Sequence, residues 1–193
     1  MDWRDKPKQS EPREKTTYLP AQPVPSDPKT LKWGVVSTIK APIEHIARLA
    51  AWHLELGAAH IHIHLDVPDV RIAKWLAHPQ ITFTQCDGEY WTMAPEKTLK
   101  THQLRQAYNA SRSYRVSAMD WLVHIDVDEF LLCKTPFTER LASAQHDAAF
   151  VRIHPAEMMA SDTDSFNGTA YFKRTRKHAK QRKSVLETLY PTF

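Results

Sequence analysis

A chain of 193 residues, 42% hydrophobic and 25% charged, is long enough for one domain with a real core and too short for two. Its four glycines, at 34, 57, 88 and 168, leave no G-x-G-x-x-G and no Walker loop, so dinucleotide and P-loop chemistry lack their signatures. The net charge of +4 is a local matter: KRTRKHAKQRK (173–183) holds seven Lys or Arg and no acid, which leaves the remainder net acidic.

Residues 1–30 carry six prolines, many charges and few aliphatic side chains. They cannot bury enough surface to offset their ordering entropy and read as a disordered or extended leader. LKWGVVSTI (31–39) is short and β-branched, a first strand. Pro42 stands at a helix start, after which Ile43, Ile46, Leu49, Ala50, His53 and Leu54 recur at helical spacing, with Gly57 placed as the C-terminal cap. HIHIHL (60–65) is a second strand, RIAKWLAHP (71–79) a short helix stopped by Pro79, and ITFTQ (81–85) a third strand. One long helix is expected across 96–117, with Leu99, Gln103, Ala107, Ala110 and Tyr114 along one side. DWLVHIDV (120–127) is a fourth strand, TPFTERLASAQ (135–145) a helix and AAFVRIHP (148–155) a further strand. Strands alternating with helices in this way predict an α/β domain with a largely parallel sheet, over 31–172, followed by a basic tail over 173–193.

The opening fifteen residues have no apolar signal region, and no window approaches 18 consecutive apolar residues. Cys86 and Cys133 make no disulfide framework and no metal-type pair, which fits a reducing compartment. The expectation is a cytoplasmic protein, with the basic tail offering peripheral contact with the inner face of a membrane.

Three polar clusters compete for chemistry. In WLVHIDVDEFLL (121–132), strand alternation turns Trp121, Val123, Ile125 and Val127 to the core and Asp126 and Asp128 to the other side, with Glu129 on the turn. Two adjacent hard oxygen ligands suit Mg2+ or Mn2+, which keep other positions for water and phosphate. The plainer reading is an acidic turn that caps the next element. In HIHIHLD, His60, His62 and His64 share a face and resemble zinc spacing, but the outer two lie roughly 13 Å apart. Hydrogen-bonded strand histidines are the better reading. Asp66 and Asp69 follow the second strand, where an Asp either accepts from a ribose or base edge or caps the next helix. No G-x-S-x-G, activated cysteine or nucleic-acid module is visible, so no specific nucleic-acid partner is expected.

Together AAWHLELGAAHIHIHLD, KTHQLRQAYNAS, DWLVHIDVDEFLL and, more loosely, VVSTIKAPIEHI resemble family-2-type glycosyltransferases of the branch whose D-x-D extends to D-x-D-E-F. The resemblance covers about residues 31–155. It implies a GT-A-like fold, a Rossmann-like three-layer sandwich with a mostly parallel sheet. It also implies a nucleoside-diphosphate sugar donor bound across the strand ends, and a glycan, lipid or protein acceptor. Asp126 and Asp128 would hold Mn2+ or Mg2+ on the donor diphosphate, Asp66 would face the nucleoside, and Lys100 or Gln103 would approach the same pocket. This chain has DVPD where the branch has a polar N-x-S-x-D segment, so Asp69 is the counterpart of its last acid. Of the downstream acids Glu157, Asp162 and Asp164, none matches the branch's catalytic base, and a truncated or minimal member is expected. The alternative is a non-catalytic protein whose basic tail docks nucleic acid or anionic membrane.

Overall fold

The computed structural model describes residues 24–144, 148, 150–158 and 172–174. Of the basic tail, only Lys173 and Arg174 fall within this set; Asp162, Asp164 and residues 1–23 lie outside it. Four strands, β1 (Trp33–Ile39), β2 (His60–Leu65), β3 (Ile81–Gln85) and β4 (Trp121–His124), form one sheet in the order β3-β2-β1-β4, every pair parallel. The predicted α/β class and parallel sheet are therefore present.

Register fixes the two faces of this sheet. Gly34, Val36 and Thr38 lie beside His60, His62 and His64, and Trp33, Val35, Ser37 and Ile39 alternate with them. The second face is apolar. Val35, Ile39, Ile61, Ile63 and Leu65 pack there with Ile46, Leu49 and Ala50 of α1 (Ile43–Glu55), and with Phe137 and Leu141 of α5 (Phe137–Ala142). Trp33 meets Phe137 edge to face, with ring centroids 4.7 Å apart. Each such fully buried aliphatic side chain contributes about 1.5–3 kcal/mol. The histidine-bearing face instead meets α4 (His102–Val116), which makes it polar and gives the molecule three layers.

Helix α1 begins after Pro42 and ends in a Schellman motif: Gly57 sits at φ +98°, Ala58 N–H donates to the His53 carbonyl (2.8 Å), and Gly57 N–H to Leu54 (3.0 Å). Gly34 has a different reason. A Cβ there would stand 2.7 Å from the His60 carbonyl oxygen on the neighbouring strand, and 3.1 Å from Met119 Cγ. A Gly34→Ala substitution is expected to lower stability by about 1–3 kcal/mol, since backbone must move. Urea unfolding at neutral pH checks this.

Several boundaries depart from the sequence reading. The segment from Val24 is ordered against the fold, with Val24 on the core and Asp27 carbonyl accepting from Thr30 and Leu31 N–H. The helix expected at 71–79 is α2 (Val70–Trp75), and α3 (Gly88–Thr92) was not foreseen. The long helix expected over 96–117 is broken: a 3-10 turn (Glu96–Lys100) precedes α4, because Thr101 is extended (φ −141°, ψ 155°) and its hydroxyl caps Leu104 N–H. The fourth strand stops at His124 rather than at 127. No strand forms at 148–155 among its described residues; instead β5 (Ala156–Met158) pairs antiparallel with β6 (Phe172–Arg174).

Candidate functional site

The strand order creates a switch point. The chain runs from β1 outward through β2 and β3, then returns to place β4 on the other side of β1. In such sheets the connections part at the carboxyl ends of the strands flanking the reversal, here β1 and β4, and ligands bind in that crevice. All four strands are parallel, so the residues that follow them share this edge: Lys40, Asp66, Cys86 and the acids after β4.

Pairing of β4 with β1 ends at Val36 opposite His124, after which Ile125 N–H still donates to the Val36 carbonyl (3.3 Å). The alternation outlasts the ladder. Trp121, Val123, Ile125 and Val127 pack on the core, while Asp126, Asp128 and Glu129 are exposed. Residues 126–129 form a turn closed from both sides. Glu129 N–H donates to the Asp126 carbonyl (3.1 Å), and Asp126 N–H donates to Glu129 Oε2 (2.9 Å). The capping role of the plainer reading thus belongs to Glu129, which leaves the two aspartates for other work. Asp126 Oδ1 accepts from Gln106 Nε2 of α4, and the Asp128 carboxylate makes no hydrogen bond to the described residues.

On the other side of β1, Asp66 is nearly buried, its side chain 8% exposed. It caps nothing. Arg105 grips it bidentately, Nε to Oδ1 and Nη2 to Oδ2, both at 2.8 Å, with His102 Nδ1 3.7 Å from Oδ2. Asp69 instead takes the capping role: it accepts from Arg71 N–H (2.9 Å) at the start of α2 and pairs with the Arg71 guanidinium (2.7 Å). That pair holds the Asp69 carboxyl down at about 2.

Consecutive residues of α4 therefore hold acids on either side of the first strand, Arg105 on Asp66 and Gln106 on Asp126. Neither was singled out from the sequence. Lys100, named there, ends the 3-10 turn and is exposed, and Gln103 is exposed on α4. The misreading is one of helix face. Asn109 and Ser113 are buried, whereas Leu99 and Tyr114, expected on the inner side, are 47% and 54% exposed. A polar stripe at helical spacing, Arg105, Gln106, Asn109 and Ser113, was the available signal.

A buried polar chain lies beneath. Asn109 Nδ2 donates to Thr38 Oγ1 (3.0 Å), Tyr90 OH donates to Asn109 Oδ1 (2.6 Å), and His64 bridges Tyr90 OH (3.5 Å) and Ser113 Oγ (2.8 Å). His60 Nε2 meets Thr82 Oγ1 (2.8 Å), and the rings of His60 and His62 lie 4.7 Å apart. Among the described residues no three His, Cys, Asp or Glu side chains gather to hold a metal. His60 and His64 are hydrogen-bonded strand residues, whereas His62 Nε2 is buried with no hydrogen-bond partner among the described residues. Burial and then the Asp66 charge push the Cys86 thiol up to about 12, which removes it as a nucleophile. A groove of about 460 Å3 opens between Trp52, Leu131 and Arg140, and none of the acids borders it.

Fold and site thus define an α/β domain of the parallel, Rossmann-like kind, with acids at its switch point. Comparison with family models, curated proteins and solved structures finds no match to this chain.

Proposed function

We propose that this chain is a GT-A-type glycosyltransferase domain that binds a nucleoside-diphosphate sugar across the β1–β4 switch point and moves the sugar to a glycan, lipid or protein acceptor. One observation carries the reading: Asp126 and Asp128 stand exposed where β4 leaves the sheet, on a turn whose own hydrogen bonds are met by Glu129. Two carboxylates with no third ligand gathered beside them among the described residues fit a cation that completes its shell with water and phosphate, as Mn2+ or Mg2+ does, better than a closed zinc site. When bound, such an ion would neutralise charge on the departing diphosphate. Asp126 and Asp128 would hold it, and Gln106 orients Asp126 by occupying Oδ1. Asp66 acts on the nucleoside side through Arg105, because both its oxygens are already engaged. Lys100 lies two residues before the start of α4 and supplies positive charge near the same edge. The reaction's base is unassigned. No helix among the described residues is long and apolar enough to cross a membrane.

Titration calorimetry with UDP and GDP, with and without Mn2+, tests the proposal. Wild type should bind one of them only with the metal. Asp128→Ala should weaken that binding at least about tenfold, roughly 1.4 kcal/mol. Binding unchanged in the variant, or absent in wild type with both nucleotides, would refute it.

A further inference from the structure

We infer that Trp52 and His53, neighbours near the end of α1, are positioning residues for the carboxylate-bearing turn, because together they take both backbone groups of Leu131. Beyond His124 the chain has no ladder partner, yet Leu131 is only 6% exposed, so its N–H and C=O must be satisfied by something other than the sheet. Leu131 N–H donates to His53 Nε2 (3.4 Å), and its carbonyl accepts from Trp52 Nε1 (2.9 Å). One neutral tautomer of His53 serves both its contacts. A carbonyl only accepts, so Nδ1 carries the proton toward the Leu49 carbonyl (2.8 Å), and Nε2 is left bare for Leu131.

Phe130 completes the grip. Its ring stacks on His53 (6.1 Å, 7° between planes) and meets Trp52 edge to face (5.8 Å). Trp52 and His53 both lie in the last turn of α1, and both reach the same loop residue. The turn 126–129 is then fixed at both margins, by β1 at Ile125 and by α1 at Phe130 and Leu131. Ligand-bearing turns lose metal affinity by about 10–100-fold when their outer partners are removed.

The functional half of this inference rests on the reading above, so the test has two readouts. His53→Phe keeps a ring for Phe130 but removes the acceptor; His53→Gln keeps an acceptor. In His53→Phe, amide exchange at Leu131 should quicken about tenfold while β1 amides are unchanged, and Mn2+-dependent UDP or GDP binding should weaken about tenfold. His53→Gln should stay within about twofold of wild type in both. Trp52→Phe, which keeps an aromatic edge and drops only the N–H, should loosen the same amide if His53→Phe fails to fold. Unchanged exchange at Leu131 overturns the inference, and so does faster exchange with undiminished binding. If wild type binds neither nucleotide, the proposed activity falls while the exchange contrast still decides whether the pair holds the turn.

Discussion

Lowering the pH from 7 to about 4.5 is expected to remove about 2 kcal/mol of stability through His64 alone, with His62 and His53 acting in the same direction. His64 is 4% exposed. Burial first, then His62 and Arg112 nearby, depress it to about 4 from an ordinary 6.5. His62 is likewise pushed down to about 4 by burial and then by His60, and burial lowers His53 against the opposing pull of the Leu49 carbonyl. The sign follows from proton linkage. Between pH 6.5 and 4 the unfolded chain takes up protons that the folded chain refuses, so stability is full above 6.5 and falls as pH falls through that window. Each unit of displacement corresponds to 1.36 kcal/mol. Against a total of about 5–15 kcal/mol for a domain, that loss decides whether the fold survives mild acid. Asp69 acts elsewhere: its carboxyl, held at about 2 by Arg71, adds stability that disappears only below pH 4. Urea unfolding at pH 7.5, 6 and 5 should show a falling midpoint, and His64→Gln should flatten the slope. A midpoint constant from pH 7.5 to 5 would contradict the assignment.

The same polar sheet face explains what could be read in the sequence and what could not. β1, α1, β2 and β3 were legible because each has one apolar side matched to an apolar partner. Ile46, Leu49 and Ala50 at helical spacing meet Ile61, Ile63 and Leu65. α4 was misread for the complementary reason. Apolar periodicity finds the buried side of a helix only when its partner surface is apolar, and the partner here presents Thr38 and His64. Asn109 and Ser113 therefore go inward, and Tyr114 is left in solvent. The break at Thr101 was encoded in its capping hydroxyl, a signal too common to outweigh an unbroken run of helix formers. At the candidate site, alternation placed Asp126 and Asp128 outward and Val127 inward, and this holds even though the ladder stops three residues earlier. Their partners were beyond reach of the sequence. Gln106 is 20 residues from Asp126, and Arg105 is 39 residues from Asp66.

Asn109→Leu is expected to cost about 3 kcal/mol although it keeps the branching of the side chain and adds apolar surface. Asn109 is fully buried and satisfies two hydroxyls at once, donating to Thr38 Oγ1 and accepting from Tyr90 OH. Removing it takes the donor from Thr38 Oγ1 and leaves Tyr90 OH only its long contact with His64 Nδ1 (3.5 Å), and each buried group left short of a partner costs about 1–3 kcal/mol. Burial also pushes the Tyr90 phenol above its ordinary value, so Tyr90 stays protonated and must find an acceptor. Tyr90→Phe alone removes the donor and should cost less. A double-mutant cycle should return a coupling of about 1–2 kcal/mol, because the leucine no longer strands a hydroxyl once Tyr90 is gone. The consequence reaches the site. Asn109 stands one turn after Arg105, so it is the bond that seats α4 against β1 with Arg105 on Asp66 and Gln106 on Asp126. If the polar interior only stabilised the fold, Asn109→Leu would lower the urea midpoint and leave nucleotide binding by the folded fraction intact. If it sets the height of α4 over the strand ends, binding should weaken even at 10 °C, where the variant remains folded, and the second outcome is the one that this hydrogen-bond pattern demands.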